Sequence, residues 1–400
     1  MHEQPHFDVV IAGAGLAGLT AALALSRTGL DIAVVAPEAG REDRRTTALL
    51  AGSTEFLDRI GVWEAVREHA APVAVQTLID ATGRLFRAPD VAFHASEIGM
   101  EAFGWNLPNT TLLAALRSAC ETAGTVEFVT GSLGTARLGE QSCAVELEDG
   151  RKLATRLVVG ADGRNSAVRR AAAIGVREWR YPQSALVLNF SHTLPHQDTC
   201  FEFHGVEGPF TIVPLGPQLS SLVWVQTPEH AADRLNWRTD ALEREIERRM
   251  QSIFGKVKIV SDIQSFPLSG MIAHTLGTAG MALVGEAAHV FPPIAAQGFN
   301  LGVRDVEVLE GLARGAGKEK LGTIGRAYHL RRAGDVALRT ISVDLFNRSL
   351  FSGFTPLHIA RSLGIGALAQ VTPLRTMLMR EGVSPGSQLR FLSRRFSKAS

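Results

Sequence analysis

The chain is poor in cysteine. Cys120, Cys143 and Cys200 are scattered through 400 residues. They give no paired ligand spacing and no even framework, which argues against a cysteine-ligated metal or a disulfide scaffold. Three buried structural thiols in a reducing compartment are expected instead. Charge of either sign is also missing as an excess. Forty-one Lys and Arg face 40 Asp and Glu, a formal net charge of +1, so a general nucleic-acid binder is excluded. No uncharged apolar run reaches about 18 residues, so no spanning helix is expected. The N-terminus lacks a basic stretch followed by an apolar one, so no signal peptide is expected and the location is read as cytoplasmic. Repeats, low-complexity linkers, metal-ligand clusters and a convincing nucleophile with its base are absent as well. No metal and no catalytic side chain is assigned. An apolar content of 46% supports a large core, in two or three domains or one discontinuous one.

What is present begins at once. Phe7-Asp8-Val9-Val10-Ile11-Ala12-Gly13-Ala14-Gly15-Leu16-Ala17-Gly18 reads as strand, tight turn, helix. Gly13, Gly15 and Gly18 have the spacing of a dinucleotide-binding turn. The first permits the turn, the second lets backbone approach a pyrophosphate, and the third lets helix and strand pack closely. The helix start offers free N–H groups and a positive dipole end to phosphate. Asp31 to Val35 supply a second strand. The acid that usually ends it, about 20 residues past the turn, is replaced by Ala36, with Glu38 slightly late. The motif therefore indicates a dinucleotide without saying which.

Further along, Arg45-Thr46-Thr47 opens an expected helix towards Ile60, capped by Thr46 or Thr47. Arg45 is suited to phosphate or carbonyl oxygens. Residues 73–97 read as short strands, and Asn109 as the N-cap of a helix over Thr110–Thr122. Residues 126–158 read as antiparallel strands. A second strand–Gly–helix junction follows at Gly160-Ala161-Asp162-Gly163, and a third at Gly285-Glu286. Residues 184–226 are rich in strands, and Phe201, Phe203 and Trp224 are either sheet core or the wall of an apolar pocket. Residues 229–253 read as one amphipathic helix. His289 is read as a packed, hydrogen-bonded residue in preference to a general base. Val290 to Asn300 form an irregular loop, and the remainder is helical, ending in a basic tail with Arg390, Arg394, Arg395 and Lys398.

Taken together, the three junctions resemble the flavoprotein aromatic hydroxylases, single-component FAD-dependent monooxygenases typified by para-hydroxybenzoate hydroxylase. Arg45-Thr46-Thr47-Ala48-Leu49, Gly104-Trp105-Asn106-Leu107-Pro108-Asn109 and Gly285-Glu286-Ala287-Ala288-His289-Val290-Phe291-Pro292-Pro293 are similar to the ubiquinone-biosynthesis hydroxylases, in their alphaproteobacterial form. The resemblance implies an α/β fold. A Rossmann-like FAD-binding domain (1–72, 98–175 and 270–330) would carry a discontinuous, mainly antiparallel β-sheet substrate domain (73–97 and 176–269) and a helical C-terminal region (331–400).

It also implies roles. Gly13, Gly15, Leu16, Ala17 and Gly18 would hold the FAD pyrophosphate, with Asp162 nearby. Arg45, counted with Thr46 and Asn109, would contact the cofactor near its ribityl-phosphate. Gly285 and Glu286 would hold the ribityl hydroxyls, and Ala296, Gly298, Phe299 and Asn300 would line the pyrimidine edge of the ring. Pro292 and Pro293 would join Phe201, Phe203 and Trp224 around substrate. The chain departs from the family at Ala36, at Glu286 in place of Asp, and at Ala295 in place of Gly. The implied reaction uses NAD(P)H or another reductant and O₂, through a flavin C4a-hydroperoxide, to hydroxylate a polyprenylated phenol. Alternatives are a flavoenzyme, hydroxylase or reductase, acting on a soluble aromatic and a non-catalytic scaffold of a quinone-biosynthesis complex. The apolar segments after Phe354 and the basic tail are read as a peripheral contact with the inner face of the cytoplasmic membrane, or as packing or a homo-oligomer interface.

Overall fold

A computed structural model describes residues 6–38, 43, 45–83, 89–292, 296–351 and 372–383. The segments 357–370 and 386–400, read above as a membrane contact, lie outside the described residues, as do Pro293 and Ala295.

The chain opens with β1 (His6–Ala12), α1 (Leu16–Ser26) and β2 (Ile32–Ala36). Val9, Val10, Ile11 and Ile32 to Val35 are fully buried. Parallel strands covered on both faces are continuous apolar runs for this reason. Next come β3 (Thr46–Leu50), α2 (Ala51–Arg59), α3 (Trp63–Arg67), β4 (Ala71–Val73), β5 (Val75–Asp80), β6 (Val91–His94), β7 (Gly104–Pro108) and α4 (Asn109–Thr122). The helix expected from Arg45 is corrected here. Thr46 to Leu50 are a strand, antiparallel to β7, and the helix starts only at Ala51. The two adjacent threonines favour the pleated conformation, and Leu49 is buried opposite Trp105.

β8 (Val126–Thr130) follows, then β9 (Leu133–Arg137), β10 (Cys143–Leu147), β11 (Lys152–Gly160) and α5 (Ala167–Ala171). β9, β10 and the start of β11 form the expected antiparallel meander, but β8 runs parallel to β2. The second layer is built from β12 (Val176–His192), β13 (Thr199–His204), β14 (Pro209–Gly216) and β15 (Leu219–Gln226). The single helix expected over 229–253 is two, α6 (Pro228–Leu235) and α7 (Thr239–Arg249). Asn236 caps the first C-terminus and the second opens after Arg238. β16 (Val257–Ile259), β17 (Gln264–Ala273), β18 (Gly277–Thr278), β19 (Met281–Leu283), β20 (His289–Val290), α8 (Gln297–Ala316), α9 (Ile324–Phe351) and α10 (Thr372–Val383) complete the described chain.

One sheet has the order β18-β19-β11-β1-β2-β8, with β10 paired to the start of β11 and β9 to β10. Its strands β19, β11, β1, β2 and β8 are parallel, and α1 packs on it together with α4 and α8. A nine-stranded sheet has the order β20-β17-β12-β15-β14-β13-β5-β6, with β16 on β12. A small sheet, β3-β7-β4, lies against β14 between the two.

Candidate functional site

The three Gly-plus-acid junctions lie side by side. Ala12 of β1 is in register with Gly160 of β11, and Gly160 with Leu283 of β19. Three parallel strands therefore release their turns at the same sheet edge, the end where α/β folds bind ligands.

At the first turn Gly13 has φ +107°, and a Cβ there would collide with the Ala161 carbonyl of the second junction. A Cβ on Gly18 would collide with the Gly13 carbonyl. These two glycines are needed for packing. Gly15 differs: its φ is ordinary at −78°, and a Cβ on it would meet nothing within 4 Å. Its backbone faces open space at the start of α1, where no side chain caps the helix and no acid occupies the first turn. That is the surface an anion needs. Glu38 is exposed two residues beyond β2.

Asp162 turns one carboxylate oxygen onto the N–H groups of Ala167 (2.6 Å) and Val168 (3.2 Å), at the start of α5. Its other oxygen is buried without a partner among the described residues. The second and third junctions are tied by Arg169, which donates to the Ala287 carbonyl (2.8 Å) and the Arg164 carbonyl (2.6 Å). The sequence reading missed this arginine.

It also missed the support beneath the third junction. Gly285, at φ +58°, packs against Ala17, while Glu286 is exposed. The buried Asp305 of α8 accepts the Gly285 N–H at 3.0 Å, His289 Nε2 at 2.6 Å and Arg332 Nε at 2.8 Å. Burial alone would raise the Asp305 carboxyl; the His289 and Arg332 charges outweigh it and hold the group below the usual carboxylate range. His289 is thus the packed, hydrogen-bonded residue expected. The available signal was Asp305 itself, a charge set between Leu301 and Leu309 on the apolar face of a helix.

Ala296 enters α8 at φ +52°, ψ 31°, a left-handed conformation that is costly for a residue with a Cβ. Among the described residues the start of α8, like that of α1, has no side-chain cap. Gly298 is exposed there, Phe299 is half-buried, and Pro292 just before it is buried. Asn300 turns its side chain the other way. It donates to the carbonyls of Ala48 (2.7 Å) and Ala296 (2.6 Å) and accepts the Leu50 N–H (2.8 Å), pinning β3 to α8.

Arg45 and Asn109 share one network. Asp43 accepts Arg45 Nε (2.7 Å) and Nη2 (2.8 Å) as well as Asn109 Nδ2 (2.8 Å). Burial would raise the Asp43 carboxyl, but its bonds to Arg45 and Asn109 hold it below its ordinary range. Asn109 is not the N-cap: Pro108 occupies that position, and the Asn109 side chain bonds Thr47 and Asp43. Thr46 donates to Ser221 Oγ at 3.3 Å.

Phe201, Phe203 and Trp224 take the sheet-core alternative. Phe203 and Trp224 are buried with Leu242, Ile246 and Met250 under α7, and Phe201 packs on that cluster. Arg234 and Arg249 lie over the Trp224 ring at 4.2 and 4.5 Å. Thr46 and Asn106 bond Ser221, and Ser221 alternates with Leu222 and Trp224, so β3 and β7 meet the face opposite these rings.

Among known proteins, the model of a family described as FAD binding domain matches residues 6–320. The chain is similar to the ubiquinone hydroxylase UbiL of Rhodospirillum rubrum, at 32% identity over 94% of this chain and 89% of that protein. It is similar also to 3-demethoxyubiquinol 3-hydroxylase of Escherichia coli, at 31% identity over 95% and 99%. Among solved structures, PqsL of Pseudomonas aeruginosa, a probable FAD-dependent monooxygenase, aligns with TM-score 0.75 at 22% identity, covering 90% of this chain and 99% of that one. That likeness concerns the fold.

Proposed function

The chain belongs to the FAD binding domain family, and from that premise we propose that it is an FAD-dependent monooxygenase of ubiquinone biosynthesis, hydroxylating the ring of a polyprenylated phenol. Relatives at 32% and 31% identity, named as a ubiquinone hydroxylase and a demethoxyubiquinol hydroxylase, support the substrate class. The observation that carries the cofactor is the alignment of Ala12, Gly160 and Leu283, which sets three turns at one sheet edge.

The residues present fit FAD. Gly13 and Gly18 shape the first turn, and the open backbone at Gly15, with Leu16 and Ala17, receives the pyrophosphate. The unpartnered Asp162 oxygen is a spare acceptor beside it. Glu286, exposed on a turn held from below by Asp305, is placed for the ribityl hydroxyls. Arg45, aligned by Asp43, serves the ribityl-phosphate region, and the uncapped N–H groups of α8 at Ala296 to Phe299 serve the ring's pyrimidine edge. Asn300 acts through its staple to β3. Glu38 or backbone near it takes the ribose that Ala36 does not.

FAD, reduced by NAD(P)H or another donor, supplies the activation of O₂. The protein orients the ring, keeps water out and holds the substrate's hydroxyl. In this reading the division is an FAD domain of 1–72, 98–175 and 270–330, a substrate domain of 73–97 and 176–269, and a helical region from 331. Because a prenylated substrate partitions into a bilayer, the enzyme works at the membrane surface; among the described residues no helix is long and apolar enough to cross one. Deleting the gene in its host and profiling quinone intermediates by mass spectrometry tests the proposal. A precursor lacking one hydroxyl is the expected result, and an unchanged profile overturns it.

A further inference from the structure

Cross-strand partners share a sheet face, and the register of the nine-stranded sheet carries one further assignment. Glu202 of β13 pairs with Thr211 of β14, Thr211 with Val223 of β15, and Val223 with Val187 of β12. This row lies on the face opposite α7. On one side it is flanked by the row of Val213 and Ser221, which Thr46 and Asn106 touch. On the other it is flanked by the row of Val225, Ala185 and Phe266. The Arg45 guanidinium sits 5.7 Å from the Phe266 ring. At β15 and β12 the row thus runs between the two points where Arg45 and Thr46 meet this sheet, and Glu202 lies two strands out from β15 on the same face.

Thr211, Val223 and Val187 are half-buried and uncharged. Glu202 is the acid of the row. Its carboxylate lies 2.7 Å from His204 Nε2 on the same face of β13, with the two side chains 18% and 5% exposed. Asp80 of β5 is the cross-strand partner of His204 on that face. An acid set within an apolar row, which continues beyond it to Leu78 of β5 and Val91 of β6, loses hydration, and Phe201 and Phe203 of the same strand already fill the core on the other side.

We propose that Glu202, positioned by His204, accepts the hydrogen bond of the substrate's ring hydroxyl and takes its proton during hydroxylation. The assignment rests on the monooxygenase reading. As the ring's π electrons form the new C–O bond, the O–O bond of the activated dioxygen breaks and its other oxygen leaves as water, with O₂ as oxidant and NAD(P)H as reductant; positive charge reaches the hydroxyl oxygen and makes its O–H acidic. That O–H bond breaks, its electron pair stays on oxygen, and the proton passes to the Glu202 carboxylate, leaving a ring carbonyl. The ring C–H proton is then lost to solvent and the ring oxygen takes back the proton held by Glu202, which restores the aromatic phenol and the carboxylate. His204 donates Nε2–H to the other side of the carboxylate and holds it oriented for transfer; it is a positioning residue.

The test uses the FAD-loaded full chain with ortho-geranylphenol and its methyl ether as probes. For E202Q, kcat on the phenol is expected to fall about 100-fold, the scale of a lost general base, with KM within about threefold. E202D is expected to recover to within about tenfold of wild type. In the oxidised protein, ligand binding is read from the flavin spectrum. Wild type should bind the phenol about tenfold more tightly than the ether, on the scale of one hydrogen bond, and E202L should bind the two alike. Undiminished kcat in E202Q, or a phenol preference retained in E202L, overturns the proposal while leaving the monooxygenase reading intact. Failure of wild type to bind or turn over either probe overturns both.

Discussion

The carboxylate of Asp305 and the backbone N–H of Gly285 meet at 3.0 Å, inside the protein. The same carboxylate binds His289 and Arg332. One buried acid therefore fixes the turn that presents Glu286, and it does so from a helix that makes no direct use of Glu286. Removing one partner of a buried ion pair costs about 3–5 kcal/mol because the remaining charges are stranded. D305N is expected to lose about 3 kcal/mol of stability in urea unfolding and to hold FAD more weakly. The folded carboxyl titrates below its ordinary value of 3.8. Its contribution is therefore present above the unfolded value and is lost as pH falls through the folded one. Acid unfolding curves of wild type and D305N should diverge above that range and converge below it.

Two glycines of the first turn should fail in different ways. G15L places a side chain in open space, so circular dichroism and melting temperature should stay near wild type while bound flavin, read by absorbance, is lost. G18V drives a side chain into the Gly13 carbonyl, and the protein should not fold stably. Full flavin content in folded G15L would count against the pyrophosphate position.

Asp43 and Arg45 form a half-exposed pair, so D43A should change stability by less than about 1 kcal/mol. FAD affinity should nevertheless fall, by roughly tenfold or about 1.4 kcal/mol, because the guanidinium loses its orientation. Fluorescence titration of the apoprotein with FAD measures this, and unchanged affinity would remove Arg45 from the proposed site.

The two faces of β15 should separate stability from specificity. W224A, in the core under α7, is expected to cost about 3–5 kcal/mol with KM for a prenylated phenol little changed. V223F, on the other face, should raise KM several-fold with stability changed by less than about 2 kcal/mol. The reverse pattern would return the pocket to the α7 side.

Membrane association is expected to depend on the C-terminal sequence. Liposome flotation of the full chain should exceed that of a form ending near Gly353, provided the shortened form is folded. Equal flotation by both would move the contact elsewhere.

The sequence made the parallel core legible because burial on both faces leaves a plain signature, as in Val9 to Ile11, and because the three turns need glycine where backbone or another junction comes close. It was misleading where two periods compete. Thr46 to Leu50 fits a helix start as well as a strand, and only the pairing with Gly104–Pro108 decides. Asn109 has the composition of a cap but spends its side chain on Asp43 and Thr47, partners whose proximity is set by tertiary structure. The aromatic residues of the large sheet were placed by type, whereas their role depends on parity along the strand. Trp224 and Val223 are neighbours in sequence and face opposite sides. Asp305, Arg332 and Arg169 were missed because each meets a partner from another element, which only the tertiary fold brings near.

The register that joins Ala12, Gly160 and Leu283 also sets an order of assembly. During synthesis β1 exists long before β11, and β11 long before β19, so its final neighbours arrive only after most of the chain has been made. Pairings this distant in sequence are slow to close, and a nascent chain carrying the first glycine turn has no complete cofactor site to offer. Flavin capture should therefore come late in folding, as the event that locks the parallel sheet and not as the seed from which it grows.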